Sequence, residues 1–247
     1  MTTENEVVPQ EPGQPVYALL KFGEKQHIEA LRDDGLLYLR PLADFIKLES
    51  DMARGDSFEG MTRIIQPSHV KHLILEAPGF GSHALDPSEL IGPVRIGLGK
   101  TAACNIYCMF AITKPTDGEL VSSQNLQFGD SFVIVLNPSE FLNRVINAAK
   151  DAGLRHFESR LVEYYDCEGY SGEVGRFRKR SLFAYQNEFR IAVEPGFEGP
   201  IRLFAGSLVD ITSEVLPLCE ANQHLDFSTR SAKEAGIAAV GPEVTPT

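Results

Sequence analysis

One stretch, residues 182–193, constrains the fold most, because its side chains alternate as those of a core β-strand do. Odd positions from 183 to 193 are apolar or aromatic apart from Asn187. Even positions place Gln186, Glu188 and Arg190 in line between two alanines. The pattern predicts a strand with one buried face and one face that presents an amide, a carboxylate and a guanidinium. Such a face is either solvated or a functional site.

Length and composition predict one folded body. A chain of 247 residues, 43% of them hydrophobic, is long enough for a single domain with a sizeable core. Residues 1–14 are rich in Glu, Gln and Pro, and residues 228–247 are small and polar, so neither end can bury enough apolar surface to offset the entropy of ordering. We expect one domain over 15–227 between two disordered tails.

Charge and apolar patterning argue against several classes of partner. Lys and Arg number 23 against 34 Asp and Glu, and the net charge of -11 disfavours nonspecific binding to nucleic acid or an anionic membrane, which leaves local basic patches open. No apolar run approaches the roughly 18 residues that span a bilayer, and the first residues lack the regions of a signal peptide. The four cysteines form no CxxC pair. We therefore expect reduced thiols, no metal site, no membrane partner and a cytoplasmic location.

The remaining pattern predicts an α+β fold of strand-rich mixed sheets with a few packed helices. Residues 16–22 indicate a strand, 24–34 a short helix that ends at Gly35, and 36–40 a second strand. The clearest helix lies between Leu136 and Gly153, with Asn137 as its cap. A short helix is also predicted at 41–48, a long loop at 76–93, and strands at 62–65, 69–76, 94–98, 105–113, 131–136, 156–165 and 201–204.

Two glycine motifs are similar to nucleotide-binding loops, but their surroundings favour other interpretations. Residues 79–84 fit GxGxxA, yet an Asp-Pro pair follows where a helix should begin. Gly99-Lys100-Thr101 ends like a phosphate-binding loop, but its first glycine is missing and a predicted strand follows. We interpret Lys100 as a solvated turn residue.

Two further groups of polar residues are interpreted as structural. His69 and His72 are three apart in a predicted strand, where they would point to opposite faces rather than to one metal ion. Asp56 and Glu59 flank Phe58, and we expect them to form a loop that the aromatic ring anchors.

Residues 176–180 place four cations in five positions just upstream of the polar strand. In an acidic protein they would concentrate positive potential beside Gln186 and Glu188 and attract a phosphate-bearing ligand. The alternative is a solvated loop that balances nearby acids such as Glu168 and Glu173. Both interpretations stay open at this point.

The segment Gln186-Asn187-Glu188, preceded by a glycine-rich and basic loop over 169–180, resembles the closing QxE motif of the ADP-ribosyltransferase superfamily. The opening strand at 17–22, and the helix that ends at Gly35-Leu36-Leu37-Tyr38, are similar to the start of those enzymes. LLKFG, GLLYLRPLADF, RGDSFEG, YQNEFRIAV and LFAGSLVDI together resemble a largely uncharacterised prokaryotic branch of that fold. The resemblance covers most of residues 17–213.

The resemblance implies an NAD-dependent ADP-ribosyltransferase or NAD glycohydrolase of a microbial toxin, phage-defence or phage system, with NAD as substrate and a protein or nucleic acid as acceptor. Cleaving the nicotinamide-ribose bond develops positive charge on the sugar, which a fixed carboxylate stabilises. Glu188 would take that role and Gln186 would orient the nucleophile. Lys21 stands where the family often has Arg or His against the cofactor, and it should face one cleft with Glu188. The other residues implied in NAD binding are Tyr38, Tyr107, Arg178 and Arg190, with Ser131 as an alternative to Tyr107.

Two other functions and a structural interpretation stay open. The chain would be a catalytically silent relative that binds a nucleotide or a protein, which Lys21 and the unmatched middle motif favour. Alternatively, it would bind or process nucleic acid or phosphate groups through 176–180, with Lys100 and Glu59 as accessories. In the structural interpretation Arg190 pairs with Glu188 on a solvated face, an exposed ion pair worth roughly 0–1 kcal/mol.

Overall fold

The computed structural model describes residues 14–47, 56–98, 103–114, 119–197 and 199–225. The predicted tails lie outside these ranges, apart from Gln14, whose amide donates a 2.8 Å hydrogen bond to Thr113. Gly99-Lys100-Thr101 also lies outside them, and the predicted domain limits stay a prediction. The described part is strand-rich α+β, as predicted. Its strand pairs are antiparallel except for one parallel pair, which forms a two-stranded sheet of its own, so no described sheet is mixed and that part of the prediction is wrong.

The described ranges contain fifteen strands and four α-helices, numbered in chain order. The strands are β1 (Ala18–Gly23), β2 (Leu36–Pro41), β3 (Met61–Ile65), β4 (Leu73–Ala77), β5 (Gly81–Leu85), β6 (Val94–Leu98), β7 (Asn105–Ile112), β8 (Ser131–Val135), β9 (His156–Leu161), β10 (Glu163–Tyr165), β11 (Gly172–Glu173), β12 (Arg178–Arg180), β13 (Glu188–Glu194), β14 (Ile201–Phe204) and β15 (Leu216–Pro217). The α-helices are α1 (Lys25–Asp34), α2 (Leu42–Lys47), α3 (Pro138–Asp151) and α4 (Ala221–His224). Short 3-10 helices lie at Pro67–His69, Pro87–Glu89, Ser123–Phe128, Ser181–Gln186, Val209–Ile211 and Leu218–Glu220.

The largest sheet is built around β7, whose two edges carry different neighbours. One edge pairs with β13, and β9 continues the sheet beyond β13. The other edge pairs with β1 near the end of β7 and with β2 near its start, so β1 and β2 diverge from each other. β14 extends the sheet beyond β2, and β8 and β15 extend it beyond β1.

Each face of this sheet has its own apolar packing. α1 and α3 cover one face, which we call the helix face and which carries Leu19, Tyr107 and Met109. The opposite face, called here the second face, carries one cluster around Phe110 and another around Ile106. The polar residues of β13 lie on the second face, where these two clusters meet.

The two helices that the sequence marks best are confirmed. α3 begins at Pro138, and Asn137 Oδ1 accepts a 3.1 Å hydrogen bond from the Glu140 backbone amide. The Glu140 carboxylate turns to Arg144, which donates at 2.8 Å, and not back to the cap. α1 ends at Asp34 and is capped by Gly35, which adopts the left-handed conformation with φ 66°.

The predicted strand over 182–193 is wrong in its first half. Residues 181–186 form a 3-10 helix, and β13 begins only at Glu188. Asn187 separates the two with φ 36°, in the left-handed region that asparagine enters more readily than most residues. Its side-chain amide donates to the Ala111 carbonyl oxygen and holds this turn against β7. The alternation of apolar and polar residues before Asn187 therefore does not reflect a β-strand.

Three smaller predictions also need correction. The predicted loop at 76–93 contains part of the hairpin of β4 and β5, with its turn at 78–80. His69 lies in a 3-10 helix and not in a strand. The predicted strand at 156–165 is interrupted at Val162, which separates β9 from β10.

Gly35 is a position where a side chain cannot be accommodated. A Cβ there would lie 2.1 Å from the Gly206 carbonyl oxygen. We expect Gly35→Ala to lower the free energy of unfolding by about 2 kcal/mol or more, because a left-handed alanine is strained and its methyl group would clash with backbone. The control is Gly153→Ala, which also has a positive φ (79°) but no atom within 4 Å of an added Cβ.

Urea unfolding of both variants measures the difference. The control should lose only about 1 kcal/mol, the cost of the left-handed conformation alone. Equal losses in the two variants would contradict the close packing of Gly35 against Gly206.

Candidate functional site

Glu188 and Arg190 occupy successive positions on the second face of β13, and both are buried. The pairing with β7 places Glu188 opposite Phe110 and Arg190 opposite Cys108. Glu188 is 4% exposed and Arg190 is 0% exposed. The expected pairing of the two residues is confirmed, but the expectation that it lies on a solvated face is wrong.

Four side chains of alternating charge meet at this point, and we call them the buried ion network: Glu59, Lys179, Glu188 and Arg190. Glu188 Oε1 accepts from Arg190 Nε at 2.7 Å, and its Oε2 accepts from Lys179 Nζ at 2.8 Å. Arg190 Nη1 donates to Glu59 Oε1 at 2.6 Å. Lys179 Nζ also donates to Gln186 Oε1 at 2.9 Å and lies 3.8 Å from Glu59 Oε2. Two acids and two cations thus balance each other away from water.

Three segments that are distant in sequence contribute to the network. β13 carries Glu188 and Arg190, β12 carries Lys179, and a turn at 56–60 carries Glu59. Asp56 fixes this turn, because its Oδ1 accepts from Arg180 Nε at 2.8 Å and from the Phe58 amide at 3.0 Å. The Phe58 ring centroid lies 4.9 Å from the Arg180 guanidinium carbon. The predicted anchoring of this loop by its aromatic ring agrees with the structure.

Burial and charge push the pKa values of the two carboxyl groups apart. Burial alone would raise the pKa of Glu188, but Arg190 and Lys179 outweigh it and hold that pKa well below its ordinary value. At Glu59 burial dominates and raises the pKa, although Arg190 and Lys179 oppose it. Glu188 is therefore the firmly ionised acid of the network.

The network and the turn at 56–60 also have buried polar atoms without a hydrogen bond. Within the described ranges, no partner is found for the buried atoms Glu59 Oε2, Arg190 Nη2 and Asp56 Oδ2. Glu59 Oε2 keeps only its longer charge contact to Lys179. Buried polar atoms are seldom left unpaired. Arg190 Nη2 is thus a donor, and the two carboxylate oxygens are acceptors, whose hydrogen-bonding capacity is unused within the described ranges. Cys108 beside Glu188 is no nucleophile in this state, because burial raises the pKa of its thiol to about 12.

Lys21 and Glu188 do not face one cleft, contrary to the expectation from the sequence. Leu20 and Glu188 both pair with Phe110 of β7, so Leu20 shares the face of Glu188 and Lys21 points to the helix face. There Lys21 Nζ donates a 2.7 Å hydrogen bond to a carbonyl of β7 and lies 4.3 Å from the Tyr107 ring centroid. The separation arises because β7 lies between β1 and β13.

The other residues implied in NAD binding are also dispersed. Tyr107 is buried on the helix face, and Ser131 of β8 lies on the same side. Tyr38 is 47% exposed on β2. Arg178 forms an exposed ion pair at the β10–β12 edge. Of the predicted site residues, the structure brings together Gln186, Glu188 and Arg190.

Each cation of 176–180 has a carboxylate partner, which removes the predicted concentration of positive potential. The pairs are Arg176 with Glu194, Arg178 with Glu163, Lys179 with Glu188 and Arg180 with Asp56. These partners are not Glu168 and Glu173, the acids expected from the sequence. Glu173 contributes only its backbone carbonyl, which accepts from Arg178 at 2.9 Å.

Two hollows on the described surface lie away from the network. One lies between the end of α3 and residues 197 and 199–202, and the other lies on the hairpin of β4 and β5. The described residues hold no group of three or more side chains placed to bind a metal ion. None of their helices is long and apolar enough to cross a membrane.

Sequence reasoning missed Lys179, and it gave Glu59 only an accessory role. A run of cations usually indicates a solvated loop, which is why Lys179 was not separated from its neighbours. The signal that could have found Lys179 is the alternation of side chains along a strand, which places Phe177 and Lys179 on the same side. In the structure these two residues are 1% and 5% exposed, while Arg178 points outward. Glu59 offered no comparable signal, because its partners lie more than a hundred residues away.

Comparisons with known proteins find no relative: no family model, no curated protein and no solved structure matches the chain. The resemblance to the ADP-ribosyltransferase superfamily therefore rests on the short motifs of the sequence.

Removing the charge of Glu188 should destabilise the folded chain strongly. Glu188→Gln preserves the size of the side chain but leaves Lys179 and Arg190 buried with a single acid, so we expect a loss of about 3–5 kcal/mol in the free energy of unfolding. The matched control is Glu163→Gln, which removes the exposed partner of Arg178 and should cost less than about 1 kcal/mol.

Urea unfolding is the suitable measurement, because it adds no salt that would screen the charges. A loss at Glu188 no larger than that at Glu163 would show that the buried ion network does not hold the fold.

Proposed function

We propose that this chain is a catalytically silent relative of the ADP-ribosyltransferases, which uses its QxE glutamate to hold its own structure and which works by binding a protein. The observation that carries the proposal is that the Glu188 carboxylate is already engaged within the chain. Both of its oxygens accept short hydrogen bonds from buried cations.

These two hydrogen bonds oppose catalysis for an energetic reason. A catalytic carboxylate must stabilise the positively charged ribose more in the transition state than in the ground state. The Glu188 charge is already balanced by Lys179 and Arg190, and a ribose could reach it only after one cation is withdrawn. Withdrawal leaves a buried charge uncompensated at a cost of about 3–5 kcal/mol. Lys21, at the position of the family's cofactor contact, lies on the other face of the sheet and cannot assist.

A segment without buried residues supports the binding role. Residues 67–97, which we call the β-arm, contain no buried residue. β4 and β5 form a two-stranded sheet within it. The β-arm exposes large apolar side chains, among them Leu75 at 54% and Phe80 at 78%. Grouped apolar side chains in water are typical of surfaces that bind another macromolecule.

A second candidate, ADP-ribosyl transfer or NAD hydrolysis at Glu188, is favoured by one observation. Gln186, Glu188 and Glu59 converge on the same cations, and the two carboxyl groups have pKa values shifted in opposite directions. Such a pair is typical of sites where one acid stays ionised beside another that holds a proton. This candidate requires Lys179 and the turn at 56–60 to move before NAD can approach.

The ion pairs of residues 176–180 argue against the nucleic-acid hypothesis. Electrostatic binding to nucleic acid needs cations that are free to neutralise phosphates, which releases the counterions condensed on the nucleic acid. In residues 176–180 each cation is engaged by a carboxylate of this chain. A phosphate would have to displace these acids in a protein of net charge -11.

Incubation with NAD labelled in the nicotinamide ring, with and without cell extract, tests the proposed function. We expect no nicotinamide release above background from the wild type, because the Glu188 carboxylate is neutralised within the fold. Release by the wild type that falls roughly 100- to 1000-fold in Glu188→Gln would overturn the proposal in favour of catalysis.

A second variant keeps this test decisive if Glu188→Gln does not fold. Gln186→Ala removes one hydrogen bond to Lys179 and leaves the four charges in place. Wild-type turnover that falls in folded Gln186→Ala would also contradict a silent protein.

A further inference from the structure

We infer that the β-arm is a dimerisation element, in which the hairpin of β4 and β5 docks against the same hairpin of a second copy of this chain. The inference rests on the proposed protein-binding function and names the partner.

The hairpin has an apolar face that needs a cover. Its register runs from Leu73 opposite Leu85 to Ala77 opposite Gly81. Leu73, Leu75 and Leu85 therefore share one face, and Leu75 and Leu85 are 54% and 42% exposed. A two-stranded sheet alone is only marginally stable in water and gains stability when a further strand or surface packs on it.

No further strand of the described ranges extends this sheet, because β4 and β5 pair with each other and with no third strand. Two copies related by a twofold axis would pack leucine face against leucine face, because a twofold contact uses the same patch on both subunits. This contact would remove the leucine side chains of both hairpins from water.

The apolar area is sufficient for a small interface. Leu75, Phe80 and Leu85 expose an area on the order of 300 Å², comparable to the larger apolar patches of a protein surface. A standard interface buries roughly 800 Å² on each partner, so these side chains account for less than half, and the backbone and polar rim of the hairpin would provide the remainder.

Charge favours a second copy at this surface. The β-arm carries two cations, Lys71 and Arg95, and three acids, Glu76, Asp86 and Glu89, a net charge of -1. The chain carries -11, so the remainder carries -10. A contact through the nearly neutral β-arms adds little charge repulsion and keeps the excess negative charge of the two copies away from the interface. The β-arm has no strong charge of either sign that would select a charged partner.

Sedimentation equilibrium of the full chain over a wide concentration range tests the inference. We expect a monomer–dimer equilibrium with a Kd in the micromolar range or below. Leu75→Asp and Phe80→Asp should each weaken it at least tenfold, since buried apolar anchors carry most of the binding energy in an interface. The control is Leu136→Asp, a substitution of a leucine that is 61% exposed outside the β-arm, and it should leave the Kd unchanged.

The substituted side chains are exposed, so circular dichroism should show the wild-type fold in all three variants. A wild type that stays monomeric throughout, or a dimer that the β-arm variants do not weaken, would overturn the inference. Nicotinamide release is a separate measurement: a monomer that leaves NAD intact refutes the dimer alone, whereas NAD cleavage refutes the silent function whatever the oligomeric state.

Discussion

The arrangement of segments on the second face of the largest sheet depends on the hydrogen bonds that Lys179 and Arg190 donate to Glu188. These bonds join β12 to β13, and Arg190 extends them to Glu59 in the turn at 56–60. Apolar packing is non-directional and tolerates several arrangements of such short segments, whereas buried charges require partners at defined positions. Each cation needs an acid and each acid needs a cation, so the network specifies how three distant segments meet over β7.

Local chemistry allowed parts of this structure to be predicted from sequence. Capping at Asn137 and the left-handed glycine at Gly35 marked the limits of two helices, because both signals act within a single turn. The alternation after Asn187 correctly placed Glu188 and Arg190 on one face. It failed before Asn187, where a single left-handed residue ends the strand pattern. The position of Lys21 could not be predicted, because it follows from β7 lying between β1 and β13, which is a long-range pairing.

In the proposed function, the same network gives the QxE glutamate a structural role in place of a chemical one. A glutamate in a strand beside cations has the residue types of a catalytic site, but its function depends on whether those cations are balanced by the protein or left for a ligand. At Glu188 they are balanced within the chain. The features that remain available to a partner lie elsewhere, on the β-arm, where apolar side chains face water and little charge opposes association.

A double-mutant cycle between Glu188→Gln and Lys179→Met, followed by urea unfolding, tests the structural role of Glu188 most directly. If the carboxylate holds the buried ammonium, removing either group alone leaves the other charge buried without this partner. Removing both groups avoids that desolvation penalty. We predict a coupling free energy of at least about 2 kcal/mol, with the double variant less destabilised than the sum of the single variants. Losses that add to within about 0.5 kcal/mol would contradict the account, because the two groups would then contribute independently.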